Sequence, residues 1–408
     1  MNLNNHAQRP KLRALDVRPI VQDGRRFLLL RDHLQVSGQM LLVPQLLGPA
    51  LALCDGTSTV AEMRTTLELL YGLRFQDGTL RDMVRALDEA GFLENERFLQ
   101  AQARALDDYR RAPFRPPALA GQSYPADPTG LRALLDGYLA EAGDVIPLPE
   151  ARGLFSPHID YPRGGGVYAR AWKRAAAAAR AADLVVLIGT DHYSDTAASV
   201  TLTRQNYATP FGVLPTAVKI VEALVEAVGP QAAFAGELRH RGEHSLELVA
   251  VWLHHLRDGQ PVELVPVLTG SFSRFIEQGV SPLSDPALAA LAAALRAATA
   301  GRRVLWVASG DLAHVGPAFG GDPLAAEDKA RLAQADQGVV ERLCAGDAES
   351  FYGAIQRVGD RNNICGLSPG YLTLHAMGAA EGECVAYRAC PADEQDTSVV
   401  TVCGVVFE

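Results

Sequence analysis

The residues of this chain best suited to chemistry are histidines, one cysteine and an aspartate standing at the ends of hydrophobic runs. Phe155-Ser156-Pro157-His158 is one such segment, and Val185-Val186-Leu187-Ile188-Gly189-Thr190-Asp191-His192 is another. Asn363-Ile364-Cys365-Gly366 lies far downstream. Leu305-Trp306-Val307-Ala308-Ser309-Gly310-Asp311-Leu312-Ala313-His314 adds an acid and an imidazole after another buried run. In α/β folds, residues just past the carboxyl ends of parallel strands converge on one crevice. Two imidazoles and a thiolate meeting there would hold a transition metal and leave coordination positions open.

Each residue taken singly also has a plainer explanation. His158 precedes Pro162-Arg163-Gly164-Gly165-Gly166, where glycine lets backbone approach a ligand, but a lone loop histidine is usually just hydrogen-bonded. His192 could be an exposed loop residue. Most cysteines are small buried hydrophobes. Cys365 differs in being bracketed by Asn362-Asn363 and Gly366, whereas Cys54, Cys344, Cys384, Cys390 and Cys403 read as structural. Asp311 could orient His314, which would then shuttle a proton, or it could cap the following helix. Glu243-His244-Ser245-Leu246-Glu247 opens a helix with an apolar stripe of Leu248, Val249, Val251, Trp252 and Leu256. His244 at that N-terminus suits a neutral hydrogen-bonding role. His240, His254 and His255 read as solvated surface residues.

Elements able to position these groups are legible. With 408 residues, 48% of them hydrophobic and 21% charged, the chain has material for two domains and a large core. Buried runs at 183–189, 262–268, 304–309 and 398–407 alternate with helical patterns, including alanine-rich stretches at 168–182 and 286–300. That alternation predicts an α/β domain, helices flanking a mostly parallel central sheet, over 120–408. Residues 11–99 form a separate small α+β pattern: strands at 25–32 and 39–44, a helix at 46–54, a capping box at Thr59-Val60-Ala61-Glu62, and an amphipathic helix at 80–90 stopped by Gly91. Two strands and three short helices resemble a winged helix. Residues 100–119, charged and then proline-bearing, read as a linker, and residues 1–10 as disordered.

Charge and composition exclude several classes. A net charge of −9 argues against general affinity for nucleic acid or anionic membrane. Within 11–98, 11 basic residues face 12 acidic ones, which disfavours DNA binding by a winged helix. No apolar run is long enough for a membrane span. Scattered, unpaired cysteines and the lack of a signal-like N-terminus read as reduced and cytoplasmic.

The motifs Ala120-Gly121-Gln122-Ser123-Tyr124-Pro125, Pro157-His158-Ile159-Asp160-Tyr161, Gly189-Thr190-Asp191-His192, Glu243-His244-Ser245-Leu246-Glu247, Ser309-Gly310-Asp311-Leu312-Ala313-His314 and Ile364-Cys365-Gly366 occur in this order. Over residues 117–408 they resemble the Memo family, whose microbial members are named AmmeMemoRadiSam system protein B. The resemblance implies a fold similar to class III extradiol dioxygenases, which use non-haem iron(II). It implies metal ligands at His158, His192 and Cys365, with Asp311, His314 and His244 as catalytic pocket residues. Asp191, Tyr161 and Glu247, in the same motifs, are the expected substrate-binding residues. The extradiol enzymes complete their iron site with a carboxylate where this chain has Cys365, a softer set compatible with Fe(II), copper or zinc. Leu47–Cys54, Asp55-Gly56-Thr57 and Leu87-Asp88-Glu89-Ala90-Gly91-Phe92-Leu93 resemble the PqqD-like fold, which implies docking of a peptide or partner protein through a sheet edge.

Three functions are consistent with these residues. In the first, a metal-dependent oxidoreductase acts on a small molecule or modified peptide, with His314 as acid/base oriented by Asp311, and His244 stabilising an oxyanion. The second is a non-catalytic metal-binding adaptor working with a radical S-adenosylmethionine protein. The third is a zinc hydrolase that activates water at the same site. No closely spaced iron–sulfur cysteine cluster is present, so this chain is not itself the radical enzyme.

Overall fold

The computed structural model describes residues 9–194 and 200–408, and the chain divides into a unit ending at Arg111 and a unit spanning Ala112–Glu408. The reading of residues 1–10 falls mostly on residues 1–8, outside the described ones.

In the first unit, β1 (Asp16–Gln22), β2 (Arg25–Arg31) and β3 (Met40–Pro44) form an antiparallel sheet in the order β1-β2-β3. β1 escapes the sequence pattern because Asp16, Arg18 and Pro19 interrupt its apolar residues. Proline is tolerated there because β1 lies at an edge. The 46–54 stretch is a 3-10 turn, Gln45–Leu47, followed by the short helix Gly48–Ala52. The capping box is present as read: Thr59 accepts from the Glu62 amide and Glu62 from the Thr59 amide. Leu80, Met83, Val84 and Leu87 of the helix Thr79–Glu89 are buried around Leu30, Met63 and Leu67. Residues 100–111, taken above as linker, instead continue the helix Glu96–Arg111. Its charges lie on the exposed side while Phe98 and Tyr109, eleven positions apart and so on one helical face, are buried.

The second unit is an α/β sandwich. Its strands are β4 (Gly153–Ser156), β5 (Leu184–Thr190), β6 (Val200–Leu202), the pair β7 (Tyr207–Thr209) and β8 (Gly212–Leu214), β9 (Glu263–Thr269), β10 (Val304–Ser309), β11 (His314–Val315), β12 (Gly382–Pro391) and β13 (Val399–Phe407). The main sheet runs β11-β13-β4-β10-β5-β9-β6, with β12 also paired to β13. Its centre, β4-β10-β5-β9, is parallel, while both flanks are antiparallel. Central strands are apolar throughout because both faces are covered. Leu184, Val186 and Ile188 of β5 face a core shared with the helices Val218–Val228, Pro286–Ala298 and Leu367–Met377. Val185 and Leu187 face the opposite core, with the helices Tyr161–Arg174 and His244–Leu256. No helix among the described residues is long and apolar enough to cross a membrane.

Within the Gly164-Gly165-Gly166 run, Gly164 and Gly165 serve packing rather than ligand approach. The run lies inside the helix Tyr161–Arg174, where a Cβ on Gly164 would sit 2.4 Å from Ile159 and one on Gly165 2.5 Å from Tyr138. His240, His254 and His255 are interior, not solvated. The helix His244–Leu256 is buried all round rather than on one stripe, because elements pack on both sides of it. His240 is held between the Tyr207 hydroxyl at 2.6 Å and the Thr201 carbonyl at 3.0 Å, and burial pushes it down to about 3. His254 pairs with Thr209 at 2.7 Å, and His255 with Asp136 at 3.0 Å.

Candidate metal centre

Register explains the convergence. Ser309 of β10 is level with both Ser156 of β4 and Gly189 of β5, so three parallel strands end at one height. The residues that follow them, His158, Asp311 and His192, are therefore delivered to one place. Cys365 arrives from the turn that precedes the helix Leu367–Met377. Ligand atoms of His158, His192 and Cys365 all lie within 4.8 Å of one another. Cys365 Sγ is 3.2 Å from His158 Nε2.

Close backbone approach makes this possible. A Cβ on Gly310 would sit 2.3 Å from the Gly366 Cα, so the strand end and the cysteine turn touch only because both residues are glycine. Gly189 likewise admits Ser245 and Leu246, whose side chains would lie 2.7 Å from a Cβ there, and so brings His244 in. Gly310→Ala should lower stability by roughly 3 kcal/mol or more, because backbone rather than a flexible side chain must move. Thermal unfolding checks this. A melting temperature equal to wild type would contradict the close approach.

The imidazoles are oriented by fixed acceptors on Nδ1. Ser309 Oγ donates to the Ser245 carbonyl at 2.6 Å, leaving lone pairs to face His158 Nδ1 at 3.4 Å. His158 thus carries its proton on Nδ1 and presents Nε2 to the thiol. His314 Nδ1 lies 3.1 Å from each of the Leu312 and Asn363 carbonyls, so its Nε2 is the basic nitrogen. Asn363, with φ +51°, also donates from its amide to the His314 carbonyl at 3.1 Å. Burial, helped by nearby His192 and His244, holds His158 well below the usual histidine range; burial lowers His314 as well. Both rings are therefore neutral near neutral pH.

Glu243 is the functional residue that sequence reasoning missed. Its side chain is 0% exposed, and it N-caps the helix His244–Leu256 by accepting from the Ser245 amide at 2.9 Å. The same carboxylate accepts from the His192 amide at 3.0 Å and lies 3.1 Å from His192 Nδ1 and 3.0 Å from His244 Nδ1. The rings of His192 and His244 stack with centroids 4.5 Å apart. Burial opposes a charged His192, but Glu243 and then Cys365 outweigh it and raise the ring well above its usual range. Burial likewise opposes ionised Glu243, yet His192 and His244 hold it well below the carboxylate range. Its sequence signal was its place at the head of the Glu243-His244-Ser245-Leu246-Glu247 motif, an acidic residue just before a helix.

Asp311 lies in the same pocket, its carboxylate within 4.8 Å of ligand atoms of His314 and Cys365, and its hydrogen bonds go to backbone. Its Oδ1 accepts from the His158 and Ile159 amides at 2.8 and 3.3 Å, and its own amide donates to Cys365 Sγ at 3.3 Å. It positions the His158 backbone, while carbonyls orient His314. The expected substrate-binding residues are structural. Tyr161 is fully buried, its hydroxyl donating to the Leu248 carbonyl at 2.7 Å. Asp191 is paired with Arg239 at 2.5 Å, and Glu247 with Arg115. Each lies in a pocket motif but has its polar atoms spent on the protein.

A family model described as Memo-like protein matches residues 115–406. The chain belongs to the Memo-like family. A MEMO1 family protein of Aquifex aeolicus is 27% identical over 98% of this chain and 100% of its own length. MEMO1 family proteins of Thermus thermophilus (31% identical, 84% of that protein) and Methanopyrus kandleri (28%, 98%) each match 72% of this chain. The Aquifex protein therefore shares the first unit as well as the Memo segment. A solved structure of an uncharacterised Escherichia coli K12 protein is similar over 63% of this chain and 99% of its own, with 16% identity and a TM-score of 0.36. In this Memo-like chain the donor set fits a transition metal: two nitrogens and a sulfur converge, and His192 and Cys365 are not sealed from solvent as His158 is.

Proposed function

We propose that this chain is a metal-dependent oxidoreductase acting on a small molecule or a modified peptide, with Fe(II) held by His158, His192 and Cys365. The observation that carries this reading is the convergence of those three donors at the carboxyl ends of β4, β5 and β10, with His158 already neutral and turned Nε2-inward. A bound Fe(II) supplies Lewis acidity and one-electron redox chemistry. Around it His314 takes or returns a proton at Nε2, fixed by its two carbonyl partners. His244 faces the same space from the helix start, its Nδ1 anchored on Glu243. The thiolate in place of a carboxylate favours a second reading, a zinc hydrolase, since sulfur with two imidazoles is also a zinc donor set.

Residues 11–99 are assigned the docking of a peptide in the manner of PqqD-like winged-helix modules, with a radical S-adenosylmethionine protein as a candidate partner. The supporting feature is an antiparallel sheet whose edge strand β1, among the described residues, pairs with β2 alone, leaving backbone groups for an added strand.

Elemental analysis of anaerobically purified wild type, Cys365→Ser and His192→Ala tests the metal reading. About one iron per chain in wild type, lost in both variants, is expected. Zinc as the sole tightly bound metal would replace the oxidoreductase reading by the hydrolase. Undiminished metal in both variants would sink the site.

A further inference from the structure

Arg115, fully buried, stands where the Memo segment begins and is not among the chemically obvious residues. Its guanidinium holds four groups on the protein. Nε donates to the His240 carbonyl at 2.8 Å and Nη2 to the Glu243 carbonyl at 3.0 Å. Nη1 donates to the Pro116 carbonyl at 3.2 Å and pairs with Glu247. Its backbone is tied to β7 on both sides, through Asn206 and Ala208. The guanidinium also lies over the Tyr207 ring, 5.2 Å from its centroid. Glu247 in turn takes the Ala118 and Leu119 amides at 2.8 Å each and the Tyr124 hydroxyl at 2.5 Å.

A buried Arg–Glu pair is a poor way to gain stability, since desolvation offsets most of the attraction and an apolar pair of equal volume does as well. What the planar fork provides is geometry: fixed donors that lock several carbonyls at once. One of those carbonyls belongs to Glu243, whose carboxylate holds His192 and His244. We propose that Arg115, with the strap 115–124 clamped on Glu247, is a positioning residue for the metal centre, acting through Glu243 on His192. The inference rests on the metal reading above. It adds that ligand geometry is set from the strap, outside the strand ends that carry the ligands.

The test uses the full chain loaded with Co(II), whose visible spectrum reports ligand geometry. Arg115→Lys keeps a charge opposite Glu247 but loses the fork, and Tyr124→Phe removes one donor to Glu247 and is the milder change. Leu291→Ala, in the core on the other face of the sheet, is the control for general destabilisation. Arg115→Lys should weaken Co(II) binding by about tenfold or more and alter the spectrum. Tyr124→Phe should do so to a lesser degree, and Leu291→Ala should change neither at a comparable loss of melting temperature. Wild-type affinity and spectrum in Arg115→Lys, beside lost binding in Cys365→Ser, would overturn the positioning role and leave the metal reading standing. Should Arg115→Lys not fold, an unchanged spectrum in Tyr124→Phe overturns it instead. Unchanged binding in Cys365→Ser would mean that the metal reading itself is wrong.

Discussion

Cys365→Ser is expected to weaken transition-metal binding by roughly a hundredfold or more while leaving the fold intact. The serine hydroxyl fits the space of the thiol but is a hard, neutral donor, and the loss removes one of three protein ligands from a site whose whole binding energy is on the order of 10 kcal/mol. Little else depends on the sulfur: the Cys365 carbonyl still accepts from Thr190 at 2.8 Å and the Gly366 amide still donates to Asp311. Protons report the same site. Burial raises the Cys365 thiol, only partly opposed by His192, and Glu243 keeps His192 protonated above the usual histidine range. Both groups must lose a proton to bind metal, whereas His158 is already neutral. Wild-type affinity should therefore climb with pH beyond the ordinary histidine range, and calorimetry in buffers of different ionisation enthalpy should show proton release that falls in the variant. Equal affinity in wild type and variant would remove Cys365 from the ligand set.

The second large effect belongs to Glu243→Gln. An amide of the same shape can still cap the helix, so the change isolates the charge that holds two imidazoles. Metal affinity should drop about 10- to 100-fold, the range for partners that orient ligand histidines. Stability of the metal-free protein should fall by roughly 2 kcal/mol. That is less than the usual loss for a fully buried pair, because 27% of the His192 side chain is still exposed. The pH dependence has a definite sign. Glu243, held below its ordinary 4.5, contributes stability above that value and loses it as pH falls through the lowered pKa. His192, held above its ordinary 6.5, contributes below that value and loses it as pH rises through the raised pKa. The gap between wild type and variant is thus widest between about 4.5 and 6.5 and narrows in alkali. Thermal melts across pH decide it: a gap that keeps widening above neutrality would rule out the His192–Glu243 pair as its source.

Sequence alone determined the α/β class and singled out His158, His192 and Cys365, whose side chains the fold brings together. Each rests on a local regularity, an apolar run ended by a polar residue of recognisable chemistry, and parallel topology sends such residues to one end of the sheet. The amphipathic helix at 80–90 and the capping box at Thr59 were legible for the same local reason. What lay beyond reach was decided by neighbours distant in the chain. Tyr161, Asp191 and Glu247 sit in pocket motifs, yet contacts with Leu248, Arg239 and Arg115 turn them inward to structural work. His240, His254 and His255 look polar in sequence but are enclosed, His254 and His255 because packing covers the helix His244–Leu256 on every side and His240 in the turn of 3-10 helix just before it. Asp311 and His314 are three residues apart, and still their partners are the His158 amide and the Asn363 carbonyl. Arg115 belongs to no motif, and Glu243 heads one without any sign of its own task. Their roles exist only once β5, the helix start and the strap are packed together, since a buried carboxylate or guanidinium acquires its function from whichever charges and carbonyls the fold leaves within about 3 Å of it.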